Sequence, residues 1–441
     1  MSSHTRVNAS FTKPGISHKK CPRQTVAVAR ARLRSNFEIM TQFTPSRAAG
    51  LAQLDDFAPR AAGDYARTRN FDTGGHTNVS RLSPWLRHGL LTETEVIAAA
   101  VRHHGPDLPE KFVTEVAWRL YFKGWLELRP DIWTAYKAER QAAWNDVQTQ
   151  SGLRQRWEQA CTGQTGIACF DHWAAELAQT GYLHNHARMW FASIWIFTLG
   201  LPWTLGADLF LRHLLDGDAA SNTLSWRWVG GLHTQGKTYV ATAENIARYT
   251  DGRFNPRDLA QVTPALDGPP LPAPRPCPVS DPFDPSRRSG LLLTDETLYP
   301  DPLLDRGLLP ATTATLQASA ARSHLLVSDR VTQFSRAAIS DCTTRLAERL
   351  GPVTACTDVQ TVVDWASAAQ LEQVVMHHVP TGPAADMLAG LKEALAAQGI
   401  ALSQQMRPID QLTWPSATAG FFKFKRVLPD ILAQAKTENL S

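Results

Sequence analysis

Residues 214–231 read LLDGDAASNTLSWRWVGG, and the segment poses a charge problem. Its flanks are apolar and its second half carries Trp226 and Trp228, so it reads as core. Yet Asp216 and Asp218 straddle Gly217 inside it. An ionised carboxylate is expensive to bury without a partner. Something must compensate those two charges.

Working outward, the chain of 441 residues is long enough for two or three domains, each with its own core. Charged residues at 20% and hydrophobic residues at 43% are ordinary for a globular protein, and a net charge of +4 permits an anionic partner without demanding one. The most apolar stretch, Met189–Leu201, is too short for a membrane span and reads as a buried helix. The six cysteines show no C-x-x-C and no metal-ligand spacing, which predicts free thiols in a reducing, cytoplasmic setting and no metal. Twelve of the fourteen tryptophans fall between Trp85 and Trp228. Most must fill core, but such crowding suits a domain that handles flat aromatic ligands.

The composition divides the chain into four. Residues 1–42 are basic, with no apolar run after the charges, and read as a disordered extension, with Met40 a candidate natural start. Residues 43–260 carry helical periodicity: Leu82–Leu91, Val96–Arg102, Glu115–Trp133 and Ala174–Leu199 are expected helices, and Thr92-x-x-Glu95 is a capping-box match. Residues 261–317 open with nine prolines between Pro264 and Pro285 and read as a linker or coil. In residues 318–441, strands are expected at Val353–Thr357, Gln373–His377 and Ile400–Gln404, with a helix over Asp386–Gln398; this predicts a small α/β domain. It has neither a G-x-G-x-x-G nor a P-loop. The expected fold class is mainly α, a helical domain followed by a small α/β domain.

Four stretches carry the chemistry: TNVSRLSPWL (77–86), FVTEVAWRLY (112–121), GYLHNHARM (181–189) and the opening segment. Together they resemble the FAD-binding domain of the DNA photolyase/cryptochrome family over roughly residues 65–230. The resemblance implies an all-helical FAD-binding domain, FAD as cofactor, UV-damaged DNA (single- or double-stranded) as substrate, and a monomer that does not enter a membrane. It implies that Ser80, Arg81, Leu82 and Ser83 hold the FAD phosphates near a helix start, with Tyr65 a weaker phosphate match. Arg119 then lies near the flavin, Arg188 pairs with Asp216, Asp218 meets the flavin ring edge and Asn222 faces its redox-active nitrogen. Glu115 contacts the lesion, Asn185 contacts both flavin and lesion, Met189 borders the lesion, and Trp118 and Trp228 stack on it. Trp226 and Trp203 are the first and middle members of the electron-transfer chain. The outer position falls near Gln150, so Trp144 or Trp157 is the substitute.

Each piece also has a plainer reading. S-R-L-S-P alone is an ordinary capped helix, Glu115 and Arg119 are an ion pair beside a core tryptophan, and the tryptophans are packing. His184, His186, Asp216 and Asp218 could be metal ligands, but that leaves SRLSP and the tryptophans unexplained. Arg87, His88, Lys123 and Arg227 are candidate DNA-phosphate contacts, with surface charge as their default. The family's antenna domain is not expected ahead of the helical one, and no antenna pigment is predicted. Instead ATAGFFKFKRVLP (417–429) looks like an antenna-domain edge at the opposite end of the chain. The expected function is light-driven, FAD-dependent splitting of pyrimidine dimers by a photolyase-like lyase; the alternative is a blue-light photoreceptor flavoprotein of cryptochrome type.

Overall fold

The computed structural model describes residues 43–105 and 109–437; the basic extension expected over 1–42 lies outside them. Between residues 43 and 258 every regular element among the described residues is helical. The helices that build the site are α1 (Glu93–His104), α2 (Glu110–Glu127), α3 (Asp131–Thr149), α4 (Asn185–Ser193), α5 (Trp203–His213) and α6 (Ala219–Val229). Helix α1 starts where expected: the Thr92 side chain accepts from the Glu95 amide, and the Glu95 side chain reaches back to the Thr92 amide. The expected helix 115–133 ends at Glu127 because Pro130 opens α3 instead. The expected helix 174–199 is broken at Gly181, whose φ of 71° caps the preceding helix, and α4 then runs into a π-helical turn at Ile194–Thr198.

Five parallel strands, β1 (Ser289–Thr294), β2 (Pro310–Leu316), β3 (Val353–Cys356), β4 (Gln373–His377) and β5 (Ala401–Gln405), form one sheet in the order β3-β2-β1-β4-β5. Strands β3, β4 and β5 lie within a residue of their expected positions. Strands β1 and β2 fall in the stretch expected to be linker, so the α/β part reaches back from 318 to 289. The proline run ends at Pro285, and β2 opens on Pro310, which a strand tolerates at its first residue. The helix expected over 386–398 is two short ones, Pro383–Met387 and Leu391–Ala396, separated at Gly390 by its left-handed φ of 80°.

The central strands β1 and β4 are buried on both faces, as a parallel sheet requires, whereas the edge strand β3 is exposed over residues 353–355. Along β1 the alternation of side chains decides which core each joins. Leu291 and Leu293, with Val375 of β4, enter the core of the helical part. Leu292, with Val374, Met376, Ala314 and Leu316, enters a second core closed by Val362, Leu391 and Leu395. One continuous core thus joins helices and sheet, and residues from Phe43 onward form one compact unit.

Candidate functional site

A cavity of about 620 Å³ lies between α2, α4, α5 and α6. It is lined by Glu115, Trp118, Arg119, Asn185, Arg188, Met189, Asp216, Asp218, Asn222, Trp226 and Trp228, so the structure brings eleven of the expected site residues to one place. Tyr65, Ser80, Arg81, Leu82, Ser83 and Trp203 are not in its lining. Tyr65 packs edge-on against Phe57 and Phe112, and Leu82 is buried. Arg81 has a positive φ of 54°, and the Ser80 carbonyl accepts from the Gln53 amide at 3.1 Å. One contact ties this region to the cavity: Arg69, four residues after Tyr65, pairs with Glu115 at 2.7 Å.

The two aspartates of the opening segment are compensated differently. Arg188 reaches Asp216 Oδ2 at 2.8 Å, held in place by a second bond from its Nε to the Leu183 carbonyl at 3.0 Å. Asp216 Oδ1 is buried and has no hydrogen-bond partner. Asp218 caps α6, its Oδ2 accepting from the Ser221 amide at 2.8 Å. Its cations are Lys123 at 3.7 Å and Arg119 at 4.0 Å. Burial alone would raise the Asp218 pKa, but Lys123, Arg119 and Arg87 outweigh it and hold the group well below the usual carboxylate range.

Behind this loop lies a network of charges that the sequence did not announce. Arg119 joins Glu93 at 3.0 Å, Glu93 also takes Arg407 at 2.9 Å, and Arg407 grips Asp410 through two nitrogens. Arg87 bonds the Gly217 carbonyl at 2.8 Å and Glu296 at 2.8 Å. Glu296 follows the carboxyl end of β1, and Arg407 follows that of β5. The carboxyl edge of the sheet therefore props up the loop carrying Asp216 and Asp218. This corrects the expectation that Arg87, His88, Lys123 and Arg227 face DNA phosphates: all four are buried. Arg87 is engaged by the Gly217 carbonyl and Glu296 and Lys123 by Asp218, while burial keeps His88 and Arg227 from a phosphate in solvent.

On the remaining walls, Asn222 donates its side-chain amide to the Ala207 carbonyl at 2.8 Å. Trp226 is fully buried, and its ring neighbours are Phe191, Trp195 and Phe210. Trp203 packs on Tyr136, which stacks on Trp133; Trp144 and Trp157 form an edge-on pair at 5.2 Å. Trp228 is exposed and stacks on Tyr239. Burial raises the pKa of Glu115, with Arg69 opposing the shift. The C-terminal segment supplies an unforeseen wall: Phe421 lies flat on Trp118, with centroids 3.7 Å apart and planes 9° from parallel.

The metal-ligand alternative is not assembled. His184 bonds the Arg69 carbonyl and stacks on His76, and His186 stacks on Trp190, whereas Asp216 belongs to Arg188. Among the described residues no group of three His, Cys, Asp or Glu could hold a metal ion. Among them, too, no helix is long and apolar enough to cross a membrane.

Residues 112–257 match the family model for the FAD binding domain of DNA photolyase. The chain is 38% identical to a deoxyribodipyrimidine photo-lyase from Streptomyces griseus, over 35% of this chain and 33% of that protein. It is 29% identical to a deoxyribodipyrimidine photo-lyase from Synechococcus, over 50% of this chain and 49% of that protein. It is 28% identical to a cryptochrome DASH from Idiomarina loihiensis, over 40% of this chain and 39% of that protein. The chain thus spans between a third and a half of the length of these curated relatives.

Proposed function

We propose that this chain, a member of the DNA photolyase/cryptochrome family through its helical FAD-binding domain, binds FAD in the cavity between α4 and α6 and uses it to split pyrimidine dimers in UV-damaged DNA. The observation that carries the reading is the Arg188–Asp216 pair in the cavity lining, its carboxylate left with one oxygen, Oδ1, that has no donor. A buried acceptor without a donor is costly, and the N–H of an isoalloxazine ring is a donor of the right chemistry. Tyr65, Ser80, Arg81, Leu82 and Ser83 are proposed for the phosphate end of the same molecule. Reduced FAD, bound there, would supply a light-excited one-electron donor.

The protein's own work is positioning. Arg188 fixes Asp216, Lys123 and Arg119 keep Asp218 ionised, and Asn222 is anchored through its amide nitrogen. Glu115 and Asn185 would hydrogen-bond a flipped dimer, while Met189 and Trp228 border it. Trp118, stacked with Phe421 in the cavity wall, is proposed as the aromatic surface that meets the dimer. Flipping costs a few kcal/mol, least for damaged bases that stack poorly. Trp226 and Trp203 are proposed for electron transfer.

The test is illumination of the purified, chemically reduced protein with thymine-dimer DNA; the account expects dimers to disappear. That same Phe421 cover on Trp118 favours a second reading, a photoreceptor that retains FAD without repairing DNA. A yellow protein that leaves dimers intact after reduction would decide for it.

A further inference from the structure

We propose that Phe422 is a base-stacking residue at the mouth of the cavity, taking a nucleobase of single-stranded DNA. The proposal deepens the reading above, in that the base it takes flanks the one entering the cavity. Among the described residues the exposed large apolar side chains include two aromatics, Trp228 at 37% and Phe422 at 92%. Both line this cavity. An outward ring at a cavity mouth offers its whole face to a flat partner, which an exposed aliphatic side chain cannot do.

Its exposure is imposed by the surrounding structure. The preceding backbone is pinned to α2 and the turn after it: Tyr121 donates to the Ala419 carbonyl at 2.9 Å and Arg129, just past the end of α2, to the Thr418 carbonyl at 2.7 Å. On either side, Phe421 stacks on Trp118 and Phe424 is buried against Tyr121. With Phe421 and Phe424 buried on a pinned arm, Phe422 is held outward between them, so little ordering is needed when a partner arrives.

The charge around it selects the partner. Lys423 and Arg426 are exposed on the same arm, Lys111 acts on Glu115 at the mouth, and Lys237 lies on the exposed loop that follows the lining residue Thr234. Lys425 is the exception, engaged by Glu110 at 2.8 Å. Outward aromatic rings set among cations are the recognition chemistry of single-stranded nucleic acid, where rings stack on bases and cations track the phosphates.

The experiment uses the full chain and measures the anisotropy of labelled oligothymidylate, undamaged and dimer-containing, at several salt concentrations. Phe422→Ala should weaken both by about tenfold or more without altering the salt slope, since stacking releases no counterions. Phe422→Trp should restore binding, and Leu309→Ala, an exposed apolar residue outside the cavity lining, should leave it intact. Wild-type affinity in Phe422→Ala, in a protein that splits dimers, overturns this inference and leaves the repair reading standing. Weakened binding by Phe422→Ala in a protein that leaves dimers intact does the reverse. A wild-type chain that binds neither oligonucleotide overturns both.

Discussion

At the scale of single residues, Glu93 shows how the site's charges reach into stability. It is buried, which by itself raises its pKa, but Arg407, Arg119 and Lys123 overcome burial and hold it at about 2 against an ordinary 4.5. A depressed carboxylate stabilises the fold fully above its unfolded pKa, and the contribution is lost as pH falls towards the folded one. The advantage of wild type over Glu93→Gln should therefore be constant above about pH 5. It should shrink by roughly 3 kcal/mol between pH 4.5 and 2, measurable by urea unfolding at a series of pH values. An advantage that grows on acidification would show that these cations do not act on Glu93. The Arg188–Asp216 pair was legible only through the family resemblance that HNHARM and DGD carry, since the two residues are 28 apart in the chain. The partners of Asp218 were not, because Lys123 and Arg87 are distant in sequence and look like surface charge until the chain folds.

At the scale of elements, α5 and α6 cross where Gly206 faces Trp226. A Cβ there would overlap the Trp226 ring and stand 3.0 Å from Trp195. Gly206→Ala should cost about 1–3 kcal/mol by overpacking, and should move Trp226, seen as altered near-UV circular dichroism; an unperturbed spectrum would mean the crossing is looser than described. Helix ends were readable where side chains make them, as at Thr92. They were missed where Pro130 and Gly181 interrupt an apolar pattern that continues on both sides. Strands β1 and β2 were hidden for another reason. SGLLLT follows a proline run, and PATTATL starts with proline and is rich in threonine, so its inward residues look polar even though the sheet buries them.

For the molecule as a whole, the α/β part works as the foundation of the helical site. Leu291, Leu293 and Val375 share the helical core, Glu296 and Arg407 reach the loop and α1, and Phe421 closes a cavity wall. With these links, helices and sheet should unfold together. Tryptophan fluorescence and far-UV circular dichroism should give one coincident transition, and separated transitions would show the two parts to be independent. The sequence pattern at 417–429 suggested an antenna-domain edge at the far end of the chain; its placement against α2 makes that segment part of the site itself.

The most direct test of the whole account is stoichiometric titration of the purified chain with FAD, alongside Arg188→Ala and Asp216→Ala. The account predicts saturable binding of FAD by wild type and marked weakening in both variants. It is contradicted if wild type takes up no FAD, or if both variants fold and bind it as tightly as wild type does.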